Sequence, residues 1–341
     1  MIGIFLKVLN TLNNVSCKFV LVIYMSLIDF INYEISRLVD VIMSQYEQSL
    51  NVTISENDFG YAFGAGDSFA AALAAQYLSS FRFIAVDPLS LAYYVKKTQT
   101  PRQIAIAISY KGRTKEVIKA ANKLKSFGWK IVAVTSNSSS PLTSVASEVA
   151  IIMQTSEALP VGISSFVAMI TALAKLLGIK LNMNSLRSKF RNITDLEPIV
   201  RDLVSAKSIS EVITVGEGSG FVAAYFTCLK LYETLCMPCR AYPLEEFFHA
   251  PIYSISKDTL TMIYPSERNL KATYFIEILS KLGVPHIIIK PMNTTYLNII
   301  SGIVQSLKII LKFITEFNVK IPCYKEKKVL VNSSTPLIYF I

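Results

Sequence analysis

Histidine is nearly absent, with His249 and His286 the only two in 341 residues. That leaves the chain without the imidazole clusters on which most zinc and iron sites depend, and no metal is expected. Charged residues are also scarce, at 17% against 52% for the AVILMFWYC set. This balance excludes intrinsic disorder and allows a large core. No basic run with interleaved aromatics occurs. The excess of 34 Lys+Arg over 24 Asp+Glu is spread along the chain, so it favours anionic ligands over nucleic acid. No apolar run reaches the ~20 residues of a bilayer span. The nearest, residues 18–31, is broken by Asp29 and is followed by no small-residue cleavage site. Neither a membrane nor a nucleic-acid partner is expected, and the chain reads as cytoplasmic.

Cysteine is sparse and odd in number: Cys17, Cys228, Cys236, Cys239 and Cys323. Such a scattered set reads as reduced thiols. Cys236-Met-Pro-Cys239 has C-x-x-C spacing, but zinc would need two further ligands. A thioredoxin-like pair would open a helix after a strand, whereas this pair follows an apolar helical stretch. Two half-buried free thiols are the expectation.

What the chain does contain is a repeat. Its length suits two domains. Tyr61-Ala-Phe-Gly-Ala-Gly-Asp-Ser68 is an apolar run ending in Gly-x-Gly, followed by strong helix formers to Tyr77. Strand, glycine turn and helix open a doubly wound α/β unit. Residues 102–109, 129–135 and 150–153 read as further buried strands, with a helix over 114–127. The same order recurs as strand 211–216 with its Gly-x-Gly, helix 221–235, strand 259–264, helix 271–282 and strand 285–290. Gly64 and Gly216 are 152 positions apart, Ser109 and Tyr264 155. Two nearly equal offsets indicate duplication. Helix 162–177 and a polar stretch around 182–202 join the halves. The expected fold is α/β, with two tandem doubly wound parallel-sheet domains of three α/β/α layers. The boundaries are residues 1–50 for an N-terminal extension and helices, 51–180, 200–330, and 331–341 for a tail. Met25-Ser-Leu-Ile-Asp also reads as a protein start, so residues 1–24 are treated as an upstream extension.

The two copies differ where chemistry would sit. After strand 102–109 comes Ser109-Tyr-Lys-Gly-Arg-Thr114. Hydroxyls, a glycine and free N–H groups at a helix start suit a phosphate; the plainer alternative is that Ser109 and Thr114 merely cap the helix. The second copy reads Tyr264-Pro-Ser-Glu-Arg-Asn269, where proline removes a donor and glutamate adds repulsion. Phosphate binding should therefore belong to the first half. The second half carries Lys230-Leu-Tyr-Glu233, a cation and a carboxylate one turn apart, and then His249. Such a lysine–glutamate pair is ordinarily solvated. Here it lies on a largely apolar helix, where a charged face is either exposed or functional.

These features resemble the SIS (sugar isomerase) domain family, in the double-domain arrangement of the isomerase half of glucosamine-6-phosphate synthase. The resemblance is carried by Gly64-Ala-Gly-Asp-Ser68, Ile108-Ser-Tyr-Lys-Gly-Arg-Thr114, Ala133-Val-Thr-Ser136 with Ser144, Gly162-Ile-Ser-Ser165, Leu229-Lys-Leu-Tyr-Glu233 and Ala241-Tyr-Pro-Leu-Glu-Glu-Phe-Phe-His249-Ala-Pro251. It implies a phosphosugar isomerase, or an isomerising aminotransferase or deaminase-like enzyme, acting on a hexose or hexosamine 6-phosphate without a cofactor. It also implies that Ser68, Ser109, Lys111 and Thr114 hold the phosphate, and that Gly66, Tyr110 and Ser165 contact the sugar. Glu233 then matches the base that moves a proton between C1 and C2, with Lys230 beside it. His249 matches a ring-opening histidine contributed across a homodimer interface, and Lys327 stands near a tail lysine that reaches the sugar carbonyl.

Some residues depart from that pattern. Tyr110-Lys111 and Arg113 make the loop more basic, and Asp67 replaces a threonine or serine, where it would repel phosphate unless it bonds to nearby backbone. The altered loop keeps a second reading open, a sugar-phosphate sensor that performs no reaction. A dinucleotide-binding oxidoreductase, suggested by Gly64-x-Gly66 and Asp87, lacks the further glycine at Phe69.

Overall fold

A computed structural model describes residues 26–52, 54–97, 103–155, 161–195, 197–201, 205–268 and 271–340. The proposed extension 1–24 and Cys17 lie outside the described residues. The chain opens on one amphipathic helix, α1 (Leu27–Glu47), capped by Ser26, whose side chain accepts from the Asp29 N–H. Its buried stripe of Leu27, Phe30, Ile31, Glu34, Leu38, Val41, Ile42 and Gln45 follows helical spacing.

The first sheet holds β1 (Phe59–Phe63), β2 (Phe83–Ala85), β3 (Gln103–Ile108), β4 (Lys130–Thr135) and β5 (Glu148–Ile151) in the order β2-β1-β3-β4-β5. All its pairings are parallel. The connecting helices are α2 (Asp67–Leu78), α3 (Pro88–Tyr94), α4 (Lys115–Ser126) and α5 (Pro141–Val145). Then come α6 (Ser164–Leu176) and α7 (Met183–Asp195), which lead to the second half. There β6 (Ile199–Arg201), β7 (Glu211–Gly216), β8 (Cys239–Pro243), β9 (Thr259–Tyr264) and β10 (His286–Ile288) form the order β6-β10-β9-β7-β8. The helices of this half are α8 (Gly220–Leu235), α9 (Leu244–His249), α10 (Ala272–Leu282) and α11 (Thr295–Glu316), and α12 (Lys328–Ile338) follows them.

The duplication is visible in this topology. Strands β1 to β4 and β7 to β10 take the same positions in their sheets, so the tandem three-layer α/β/α reading holds. The copies differ at one edge. Where β5 closes the first sheet, β6 runs antiparallel to β10, because the polar connector enters the second half from the opposite direction. The domains share a central layer. Helices α1, α2, α6, α8 and α11 lie in one continuous core, in which the rings of Phe166 and Phe226 stack at 4.4 Å. Helix α11 has the length and apolarity of a membrane span, but it is mostly buried inside the protein. Its polar side chains are paired internally, as in Gln305 accepting from the Lys290 N–H at 2.9 Å. Separate outer cores cover the far faces of the two sheets.

The cysteine reading is corrected. Disulfides join Cys228 to Cys239 and Cys236 to Cys323. The C-x-x-C pair does not close on itself, because Cys236 ends α8 in a left-handed conformation (φ 49°) and the chain turns there. Cys239 then enters β8 beside Cys228, one strand back against its own helix. Cys236 receives Cys323 from 87 residues away, a contact made by tertiary folding that no local spacing announces.

That long-range bridge fastens the start of a segment whose helix, α12, buries none of its side chains. Closing so large a loop should contribute about 2–4 kcal/mol. A urea titration of Cys323→Ser should show a loss in that range, and trypsin should reach Lys325, Lys327 and Lys328 faster than in the parent.

Candidate active site

The turns after β1 and β3 emerge side by side where the strand order reverses, the place where open parallel sheets bind ligands. The first turn is tight. Gly66 takes φ 59°, and a Cβ on Gly64 would stand 2.6 Å from the Ser68 backbone. The second turn uses Gly112 at φ 66°, where a Cβ would fall 2.1 Å from Ser140 Oγ. Around it, Tyr110 is locked: its carbonyl accepts from Ser136 N–H and Oγ, both at 2.8 Å, and its hydroxyl accepts from the Thr155 N–H at 2.9 Å. Thr114 stands at the N-cap of α4, yet its side chain makes no capping bond. Its hydroxyl lies 3.1 Å from that of Ser109. The capping explanation of these two residues therefore fails for Thr114, and two hydroxyls converge on one spot.

Both turns open into a cavity of about 510 Å³. Gly66, Ser68, Ser109, Tyr110, Lys111, Thr114 and Ser165 line it, and so does Glu233 from the second half. Sequence reasoning did not assign Glu34, Arg113 or Tyr339, which line it too. Three expected residues do not line it: Lys230, which is fully buried, His249 and Lys327. His249 ends α9 with its side chain 75% exposed and Nε2 4.0 Å from Glu245. Lys327, exposed at the start of α12, does not reach the cavity wall. The tail contributes Tyr339 instead, which pairs with Thr114 in an antiparallel bridge, while the next N–H, that of Phe340, donates to Arg113 O at 3.0 Å.

Lys230 is fully buried, so its pair with Glu233 is no solvated surface pair. Its ammonium donates to Glu233 Oε2 at 2.7 Å and to Asp67 Oδ2 at 2.8 Å. The expectation for Asp67 is thus met in a different way: its partner is a lysine of the other half, not nearby backbone. Burial alone would strip the proton from Lys230, but the two carboxylates outweigh it and hold the group charged, above its ordinary value. Glu233 goes up to about 7. Burial is the largest cause, the Asp67 charge adds to it, and Lys230 opposes both. Glu34, its Oε2 accepting from the Ser164 N–H at 2.9 Å, is also pushed up by burial. The cavity lining carries charge of both signs, Lys111 and Arg113 as well as the carboxylates of Glu34, Asp67 and Glu233.

In the second copy the equivalent turn is already occupied. Glu217, at the place of Ala65, accepts from Ser266 Oγ at 2.8 Å, from the Ser266 N–H at 3.2 Å and from the Lys271 N–H at 2.6 Å. An internal carboxylate thus takes the donors of this turn.

Residues 58–177 match the SIS domain family model. Over 231 residues the chain is 28% identical to a glutamine--fructose-6-phosphate aminotransferase [isomerizing] of Sulfolobus acidocaldarius, covering 64% of this chain and 37% of that one. The corresponding protein of Pyrobaculum aerophilum is 25% identical over 228 residues, 61% of this chain and 37% of that one. The matches thus span little more than a third of these relatives' length. Among solved structures, glucosamine-6-phosphate deaminase of Thermotoga maritima superposes with a TM-score of 0.66 at 17% identity, over 83% of this chain and 94% of that one, a likeness of fold.

Removing one member of a buried charge group leaves the rest uncompensated, which typically costs about 3–5 kcal/mol. Lys230→Met should lose stability on this scale in urea titration. Adding Asp67→Asn and Glu233→Gln to it should restore most of the loss.

Proposed function

We propose that this SIS-domain protein is a phosphosugar isomerase of the aldose–ketose type, which includes isomerising aminotransferase or deaminase chemistry, and that it acts on a hexose or hexosamine 6-phosphate. One observation carries the reading: the Ser109–Thr114 loop of the first half and the Glu233 carboxylate of the second open into the same cavity. In this reading the phosphate sits against the hydroxyls of Ser68, Ser109 and Thr114 and the charge of Lys111, at the positive end of α4. Tyr110, Gly66 and Ser165 shape the passage for the sugar chain.

The open-chain sugar then extends toward Glu233. Interconversion of aldose and ketose moves a proton between C1 and C2 through an enediol, or an enediolamine when nitrogen is present. A carboxylate raised by burial is a competent base near neutral pH. The ammonium of Lys230 offsets negative charge as it builds on the substrate oxygen. His249 would act on the ring oxygen of a sugar bound in a second copy, which makes a two-fold homodimer part of the proposal. Its exposure leaves it accessible to such a neighbour. The proposed setting is cytoplasmic. Two disulfides are uncommon in a cytosol, the intracellular proteins of hyperthermophilic archaea and bacteria being an exception.

Phosphorus NMR of hexose and hexosamine phosphates, with and without ammonia, tests the reaction. Glu233→Gln should lower turnover by roughly 10²- to 10⁴-fold while sugar phosphate still raises the melting temperature. Ligand-induced stabilisation with no turnover in the parent would instead favour the sensor reading, which the basic Tyr110-Lys111 loop motivates. Because Glu233 must be ionised to act, kcat/KM should fall as pH drops through about 7. Ser109→Ala combined with Thr114→Ala should raise KM about tenfold through two lost hydrogen bonds.

A further inference from the structure

We propose that Asp67 is a positioning residue of this site: by drawing the Lys230 ammonium to itself, it leaves Glu233 basic enough to take a proton from carbon at neutral pH. This rests on the reading of Glu233 as the base. A lysine one turn from a glutamate normally works against such a role, since a bound ammonium stabilises the ionised carboxylate and weakens it as a base. Here the ammonium is shared. Its nitrogen lies 2.7 Å from Glu233 Oε2 and 2.8 Å from Asp67 Oδ2, and Lys230 itself is fully buried, so no water competes for the ammonium. The second carboxylate then repels the charge on Glu233 across a short gap.

The backbone around Asp67 is shaped to admit it. Asp67 opens α2 directly after the left-handed Gly66, which places its carboxylate at the positive end of that helix. Gly162 packs directly against it, and a Cβ there would lie 2.5 Å from Asp67 Oδ2. Any larger residue at 162 would push the carboxylate off Lys230. Asp67 Oδ1 is shielded and has no hydrogen-bond partner, so the group is held chiefly by its lysine. Other groups also face Glu233 or share its cavity. Tyr324 stands near it from the turn Cys323–Glu326, its phenol pushed up to about 12 by burial and by the Glu233 charge. Tyr339 stands near it from the tail, likewise raised. Lys111 and Arg113 line the phosphate end, and Glu34 the wall near α6. Of these, Asp67 alone shares the lysine with Glu233.

The test is a glutamate ¹³C NMR titration of the whole protein, with Glu233→Gln used to assign the signal, alongside the pH profile of kcat/KM. Asp67→Asn removes the charge while keeping the shape. The Glu233 midpoint should fall by about one pH unit, the acid limb of kcat/KM should move down with it, and the plateau rate should drop because the base is weaker. Asp67→Glu should return the midpoint toward that of the parent. Gly162→Ala changes no charge, yet it should shift the midpoint in the same direction by displacing Asp67, which provides a second route should Asp67→Asn fold poorly. A merely structural Asp67 would lower the rate equally at all pH values and leave the midpoint in place, and that result overturns the proposal. A shifted midpoint in a protein that converts no sugar phosphate would support the charge coupling and refute the isomerase reading. An active enzyme with an unmoved midpoint would do the reverse.

Discussion

A single buried ammonium ties this molecule together. Lys230 sits on α8 in the second half, and one of its two carboxylate partners, Asp67, belongs to the first. Removing charges from water is costly, and a buried group of this kind is tolerated only when its geometry satisfies it. The two halves must therefore meet with α2 and α8 in one register, or the lysine would be left unpaired. The stacked rings of Phe166 and Phe226, one from each half, enforce the same register through apolar contact. Lys230 lies above that stack, its nitrogen 5.2 Å from the Phe226 centroid. The interface that builds the fold thus also fixes the distance between the hydroxyl loop and the carboxylate.

Duplication usually yields two equivalent sites, and here it has not. The donors that line the first copy's turn are present in the second, but Glu217 satisfies them from within. Glu267 is used in the same manner, accepting from Ser219 at 2.6 Å and Thr295 at 2.9 Å. A turn filled in this way is a structural brace. The cavity accordingly takes its hydroxyl loop from one half and the Glu233 carboxylate from the other. The first copy's turn has Ala65 where its twin has Glu217, and its own carboxylate, Asp67, is turned to Lys230 instead.

Much of this was legible in the chain, and the limits have identifiable causes. The repeat, the two Gly-x-Gly turns and the longer strands follow from local apolar runs and glycine positions, which report backbone requirements directly; the short strands β2, β6 and β8 and the order of strands within each sheet do not. The pairing of Lys230 with Glu233 is legible because three residues make one helical turn. Asp67 is different: its partner is 163 positions away, and the sequence suggested only a conflict with phosphate. The role of Glu217 is hidden for the same reason, since its partners Ser266 and Lys271 lie 49 and 54 positions away. The disulfides escaped because the C-x-x-C spacing invited a local reading, while Cys236 and Cys239 in fact face different partners.

The tail shows how far such non-local contacts reach. A lysine at position 327 matched a spacing, but spacing along an irregular segment says little about direction. The segment is instead pinned at Cys323 to the end of the helix that bears Lys230 and Glu233. It then crosses to the first half, where Tyr339 pairs with Thr114. Lys115 reaches the same strap, its ammonium 5.6 Å from the Phe340 ring centroid and bonded to the Pro336 carbonyl. The strap therefore touches the helix of Lys230 and Glu233 at one end and the hydroxyl loop at the other. A phenol that lines the cavity from such a strap is set by both halves at once, and so the chain's last turn belongs to the site as much as the turns that follow β1 and β3.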